Sequence, residues 1–155
     1  MNITYRSATK ADANALTRIA IEAKQFWGYP EDMLRLWEAD LTITPKFIET
    51  NRVYLATDTH QVLGFVALIN QQDYLEIEHM WVHPSVMRKH IGKTFMEYAF
   101  KTCKALNYKY IRVVSDPNAK GFYQKFGGKH ISDLPSKPAS RLLPVLEFNI
   151  HTFNE

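Results

Sequence analysis

Residues 75–94 read LEIEHMWVHPSVMRKHIGKT, and the parsing of this stretch decides the fold. Leu75 and Ile77 alternate with Glu76 and Glu78, as in a half-buried strand, and His83-Pro84 ends it. From Ile91 onward, Ile91, Phe95, Ala99, Cys103 and Leu106 recur at helical spacing, which predicts a helix reaching about Leu106. A strand that feeds a helix start through a short loop leaves several N–H groups without intrahelical partners. The helix dipole adds positive potential there, so an anion fits whatever the side chains. Arg88, Lys89 and Lys93 add charge, although a solvated basic helix start would read the same way. The ending Gly92-Lys93-Thr94 is shared with a Walker A loop, but that loop wraps its phosphates with glycines, and residues 87–91 contain none. IRVVSD, ending in Asp116, is an equally weak Walker B match.

Residues 2–6 alternate like an opening strand, and Thr9 with Asp12 has capping-box spacing ahead of a helix carrying Leu16, Ile19, Ala20 and Ala23. Gly28 and Pro30 break that helix, and Met33, Leu34, Trp37 and Leu41 set the spacing of a second. RVYLAT and QVLGFVALI read as a hairpin about Asp58-Thr59-His60. Beyond the long helix, YIRVVS leads through Asp116-Pro117-Asn118 into a short helix stopped by Gly127-Gly128. Two final strands, KHIS and VLEFNI, are expected to flank a loop containing Pro135, Pro138 and Pro144. The succession predicts an α+β, three-layer α/β fold: a mixed, mostly antiparallel sheet of about seven strands, with about four helices on its two faces.

With 155 residues, one domain over 1–155 is expected, large enough to bury a core. The N-terminus has no basic segment followed by an apolar run, and no apolar stretch approaches the roughly 20 residues needed to span a bilayer. A cytoplasmic protein without membrane contact is the expectation. A net charge of +3 favours an anionic ligand only weakly. The single cysteine, Cys103, falls on the apolar face of the long helix and reads as a buried, inert thiol. No metal is implied. His79 and His83, spaced for a helix, would lie roughly 13 Å apart along a strand.

The order of elements and three local motifs resemble the GNAT superfamily of acyl-CoA-dependent N-acyltransferases, over nearly the whole chain and most strongly from residue 75 to 128. The family's phosphate motif falls on VHPSVMRKHIG. Of its marked positions only Gly92 is kept, with Met87 in place of Gln or Arg and His90 in place of the first glycine. The family's second motif is matched without a gap by Asn118, Phe122, Tyr123 and Gly127. Its acidic residue on the strand before the loop is met by Glu76 and Glu78. WGYP and SRLLP are similar to stretches in a subgroup of small bacterial-type members, which leaves the acceptor open.

The resemblance implies acetyl transfer from acetyl-CoA to a primary amine of a small molecule or peptide, by direct attack in a ternary complex. An alkylamine with a pKa of about 10 is protonated at neutral pH, so a base must act first. Glu76 is the candidate base, with Glu78 on the same strand face as a base or substrate contact, or simply facing water. His79 shares the other face with Leu75, Ile77 and Trp81 and reads as a hydrogen-bonded core histidine. The resemblance makes Tyr123 the proton donor to the departing thiolate; plain packing on the face of Ala119 and Phe126 is its alternative. Coenzyme A contacts are implied at Trp81, Val82, Arg88, Lys89, His90, Ile91, Gly92, Lys93, Asn118, Phe122 and Lys125; Asn118 could equally cap its short helix.

Trp27 and Tyr29 are candidate acceptor contacts, with Glu31 and Asp32 attracting a cation, although core packing and helix capping explain the same residues. Arg141 would bind a carboxylate or pair with Glu147. A homodimer is what the family suggests. A non-catalytic acyl-CoA-binding or sensing module is the alternative function, motivated by Met87 and His90. Nucleic-acid binding lacks a basic-aromatic pattern.

Overall fold

Leu75, Ile77 and their neighbours do form a strand, β4 (Leu75–Val82), and the helical spacing after it forms α5 (Ile91–Ala105). The computed structural model describes residues 2–136, 138 and 141–151. The remaining strands are β1 (Thr4–Ser7), β2 (Arg52–Thr57), β3 (Val62–Asn70), β5 (Tyr110–Val114), β6 (Lys129–Ser136) and β7 (Arg141–Asn149). All belong to one seven-stranded sheet in the order β1-β2-β3-β4-β5-β7-β6. Pairing is antiparallel for β1/β2, β5/β7 and β6/β7, and parallel for β4/β5, which registers Leu75, Glu76 and Ile77 with Ile111, Arg112 and Val113.

The other helices are α1 (Ala13–Phe26), α2 (Glu31–Leu36), α3 (Glu38–Leu41), α4 (Pro45–Thr50) and α6 (Lys120–Lys125), so six α-helices occur among the described residues where about four were expected. Two local causes account for the difference. The second expected helix divides at Trp37, whose backbone (φ −95°, ψ 2°) leaves the helical region while its side chain stays buried. The unexpected α4 is six residues long and has a legible start: the Thr44 hydroxyl accepts the Phe47 N–H at 3.1 Å, and Pro45 opens the helix.

The chain clusters into two compact units. The first comprises residues 1–67 and 79–95. Its core joins Leu16, Ile19 and Ala20 of α1 to Trp37, Leu41, Ile43, Ile48, Val53, Leu55 and Phe65. Thr17 ties α1 to the α3–α4 connection, accepting from Ile43 N at 2.9 Å and donating to Ala13 O at 3.0 Å. The expected capping box forms, with Asp12 Oδ2 accepting the Thr9 N–H at 2.7 Å, and Arg6 adds a fork of 2.9 and 3.0 Å to the same carboxylate. That fork and the Thr9 N–H hold the Asp12 carboxyl below its usual range.

The second unit comprises residues 68–78 and 96–155. Leu75, Ile111 and Phe148 lie in register and are fully buried, and Phe100 of α5 meets Phe148 edge-on at 5.7 Å. Each such side chain contributes about 2 kcal/mol on burial. The expected proline loop is shorter than read: Pro135 lies in β6 and Pro144 in β7, leaving Pro138 in the turn, while Ser140 of SRLLP is outside the described residues. β6 is the sheet edge, where a missing N–H is tolerated. The β5 ladder stops at Val114↔Val145, so Pro144 withholds no bond there, and its carbonyl accepts Ser115 N at 2.8 Å.

Candidate functional site

In the first unit, β4 hands over to α5 through a chain of tight turns. His83 N donates to Leu63 O at 2.8 Å, and His83 Nδ1 accepts the Ser85 N–H at 3.1 Å, capping the turn Pro84–Val86. Val86 N donates to His83 O at 3.0 Å and Lys89 N to Val86 O at 3.2 Å. His90 then takes the left-handed conformation (φ +62°), and its carbonyl accepts the Thr94 N–H at 3.2 Å, the bond that opens α5. The N–H groups of Ile91, Gly92 and Lys93 therefore precede the first helical bond. Arg88, Lys89, His90 and Lys93 are exposed around them, whereas the Ile91 side chain is fully buried, leaving only its backbone to a ligand.

Gly64 of β3 has no sequence signal beyond being a glycine inside a strand, yet it shapes this region. A Cβ there would stand 2.7 Å from Trp81 O and 3.2 Å from Val82 Cα. Only a bare backbone lets β3 approach the Trp81–Val82 segment so closely. The Trp81 indole N–H donates to His79 Nδ1 at 3.1 Å, and burial pushes the His79 imidazole down to about 4, with Asp40 opposing weakly. His79, half-buried and hydrogen-bonded, is thus a neutral histidine near pH 7.

Trp81 also borders a cation. The Lys24 ammonium lies 4.5 Å from the Trp37 ring centroid, 5.0 Å from Tyr29 and 5.8 Å from Trp81, and the residue is buried. Lys24 follows Ala20 by one helical turn on the apolar face of α1, which is the signal that sequence reading passed over. Tyr29 packs edge-on against Trp37 at 4.9 Å and belongs to the periphery of the core, and Trp27 is half-buried against Phe26. Glu31 and Asp32 are exposed in the first turn of α2, where they complement the helix dipole.

In the second unit, Glu76 is half-buried and its Oε1 accepts from the Gln71 amide at 2.7 Å, while Glu78 is exposed. Sheet register places Glu76, Arg112, Glu147 and Lys129 in one row of alternating charge. Arg112 Nε donates to Glu147 Oε2 at 2.8 Å, so Glu147 is not the partner of Arg141, which instead reaches Asp116 at 3.3 Å. Asp116 also corrects the capping alternative for Asn118: Asp116 Oδ1 accepts the Asn118 N–H at 2.8 Å and its side-chain amide at 2.9 Å.

Tyr123, on α6, is buried against Phe122 at 5.2 Å and Phe148 at 6.2 Å, and its phenol is pushed above its ordinary pKa by burial. Gly127 (φ +96°) and Gly128 close α6, their N–H groups donating to Gln124 O and Tyr123 O at 3.0 Å. Phe122 is half-buried, and Asn118 and Lys125 are exposed. Cys103 is fully buried and its thiol is pushed up to about 11, which leaves it inert.

Residues 49–127, the span holding Glu76, the loop before α5 and the Asn118–Gly127 segment, match the acetyltransferase (GNAT) domain. The chain belongs to this family. A glucosamine 6-phosphate N-acetyltransferase of Schizosaccharomyces pombe is 37% identical over 78 residues, covering 45% of this chain and 69% of that protein. Among solved structures, the PaiA N-acetyltransferase of Thermoplasma acidophilum, in complex with coenzyme A, superimposes with a TM-score of 0.78 at 20% identity, covering 96% of this chain and 99% of its own. A GCN5-related N-acetyltransferase of Rhodopseudomonas palustris gives 0.79 at 18% identity, covering 96% of each chain. At such identities the structures speak for the shared GNAT fold. Among the described residues of this GNAT chain, no group of three or more His, Cys, Asp or Glu could hold a metal ion, and no helix is long and apolar enough to cross a membrane.

Proposed function

We propose that this GNAT protein transfers an acetyl group from acetyl-CoA to a primary amine of a small molecule or peptide, by direct attack in a ternary complex. The observation that carries the reading is the start of α5: three N–H groups ahead of the first helical bond, ringed by Arg88, Lys89 and Lys93, in a chain of the acetyltransferase family. Backbone donors at a helix start suit the pyrophosphate of coenzyme A. Trp81 and Val82 would lend backbone to the acyl arm, and Asn118, Phe122 and Lys125 would contact the rest. Trp27, Tyr29 and Glu78 are the proposed acceptor contacts. The reading takes residues 1–155 as one domain, active in the cytoplasm as a homodimer without metal.

In this reading Glu76 takes a proton from the acceptor's ammonium, and the freed nitrogen attacks the thioester carbonyl. An N–H of the Trp81–Val82 segment steadies the oxyanion. As the C–S bond breaks, Tyr123 donates its hydroxyl hydrogen to sulfur, the phenolate regains a proton from the acylated nitrogen, and Glu76 releases its own to water. The products are the N-acetyl amide and free coenzyme A.

A second reading, an acyl-CoA-binding or sensing module, is favoured by His90, which holds the strained φ of +62° with a side chain in the middle of the loop. Thiol release from acetyl-CoA across an amine panel, with acetyl-CoA thermal shifts, separates the two. Turnover with some amine is expected, reduced at least about a hundredfold by Tyr123→Phe. A thermal shift without turnover on any amine would replace the enzyme reading by the module, and no shift at all would sink both.

A further inference from the structure

We infer that Gln71 is a positioning residue for Glu76, holding one carboxylate oxygen so that the other, Oε2, takes the acceptor's proton. The inference rests on Glu76 as the base. Gln71 lies in the connection between β3 and β4, and its side-chain amide donates to Glu76 Oε1 at 2.7 Å. Its main chain is fixed separately. Gln71 N donates to Tyr74 O at 3.0 Å, and the Tyr108 hydroxyl donates to Gln71 O at 2.6 Å. The turn therefore stands without the Gln71 side chain, whose one hydrogen bond goes to Glu76.

Oε2 of Glu76 accepts no hydrogen bond among the described residues. The charged neighbours are accounted for. Arg112, registered beside Glu76 on β5, is drawn away: its Nε donates to Glu147, and its guanidinium lies 4.6 Å from the Tyr74 ring centroid. Glu78 lies one pleat along β4 and is exposed. A cation held directly on a carboxylate makes it a poorer base, because it favours the ionised form strongly. A neutral amide orients the carboxylate with a smaller loss of basicity and removes the rotamer freedom of a flexible side chain. Gln71 thus supplies orientation where the nearest cation would supply neutralisation.

The test compares Gln71→Met, which keeps the length and loses the amide, with Gln71→Asn, whose amide falls one methylene short. Turnover is measured with acetyl-CoA and the best acceptor of the amine panel, beside the melting temperature. Loss of the amide is expected to lower kcat about tenfold in both variants, with KM for acetyl-CoA and the melting temperature unchanged, because only the orientation of the carboxylate is lost. A merely structural Gln71 would lower the melting temperature and leave kcat in place. Wild-type kcat in folded Gln71→Met and Gln71→Asn while Glu76→Gln is inactive overturns the inference alone. Full turnover by Glu76→Gln overturns the base assignment and Gln71 with it.

Discussion

The loop before α5 and the segment from Asp116 to Gly128, both proposed as coenzyme A contacts, treat side chains in opposite ways. The loop departs from the family pattern at Met87 and His90, yet its N–H groups still turn outward at the start of α5, because a helix start presents them whatever the residue types. The later segment keeps its pattern in full, and the glycine that follows the pattern, Gly128, is constrained sterically. A Cβ on Gly128 would stand 2.9 Å from Tyr123 O and 3.0 Å from the Phe148 ring. A site made of backbone donors tolerates substitution, whereas a site made by close approach does not.

The sharpest way to break that contrast is Gly128→Ala. The obstructing atom is a backbone carbonyl that cannot swing aside, so a loss of about 3 kcal/mol is expected in urea unfolding, together with displacement of Tyr123. A Gly128→Ala protein as stable as wild type would remove the steric half of the comparison.

Acid titration of stability should reveal a loss of nearly the same size in the first unit. The imidazole of His79 is lowered to about 4 by burial. The unfolded chain, with an ordinary value of about 6.5, therefore binds the proton more tightly. The contribution is complete above about 6.5 and disappears as pH falls toward 4, on the order of 3 kcal/mol in all. Replacing His79 by Leu should flatten this part of the curve, and an unchanged slope would contradict a buried neutral imidazole.

Smaller effects are expected from the loop's own side chains. Arg88→Ala and Lys93→Ala should each weaken coenzyme A binding about fivefold by calorimetry, less at high salt, because exposed cations supplement a backbone cradle. A loss of a hundredfold from either would mean that the site is made by side chains. Least of all, His90→Gly relieves a left-handed residue at the cost of chain entropy, for a net gain of about 0.5 kcal/mol. Lys89→Gly, at a neighbouring exposed position, should lose stability instead.

Much of the architecture was legible because strand alternation and helical spacing report burial directly. Leu75 and Ile77 against Glu76 and Glu78 announced β4, and the stop at Gly127-Gly128 announced the end of α6. The short helix α4 went unread because its six residues carry little periodicity and, unlike those of α6, are followed by no glycine stop, although Thr44-Pro45 held its start signal. The prolines of β6 and β7 were taken as loop residues because edge position and ladder ends cannot be seen along a chain. Among the candidate residues, Glu76 and Tyr123 stood out by type and spacing, whereas the settings of Lys24 among three aromatic rings and of Gln71 on Glu76 did not.

By itself the sequence determined the elements, their order and the kind of chemistry on offer, since periodicity, capping and turn residues act over a few neighbouring positions. Tertiary structure alone decided which groups meet: Asp116 rather than Asn118 as the cap, Asp116 rather than Glu147 for Arg141, Gln71 on Glu76, and a left-handed His90 at the mouth of α5. Those choices depend on register and on turns that bring distant residues within hydrogen-bond reach. No local pattern encodes such distances, because they arise only when the whole sheet has formed.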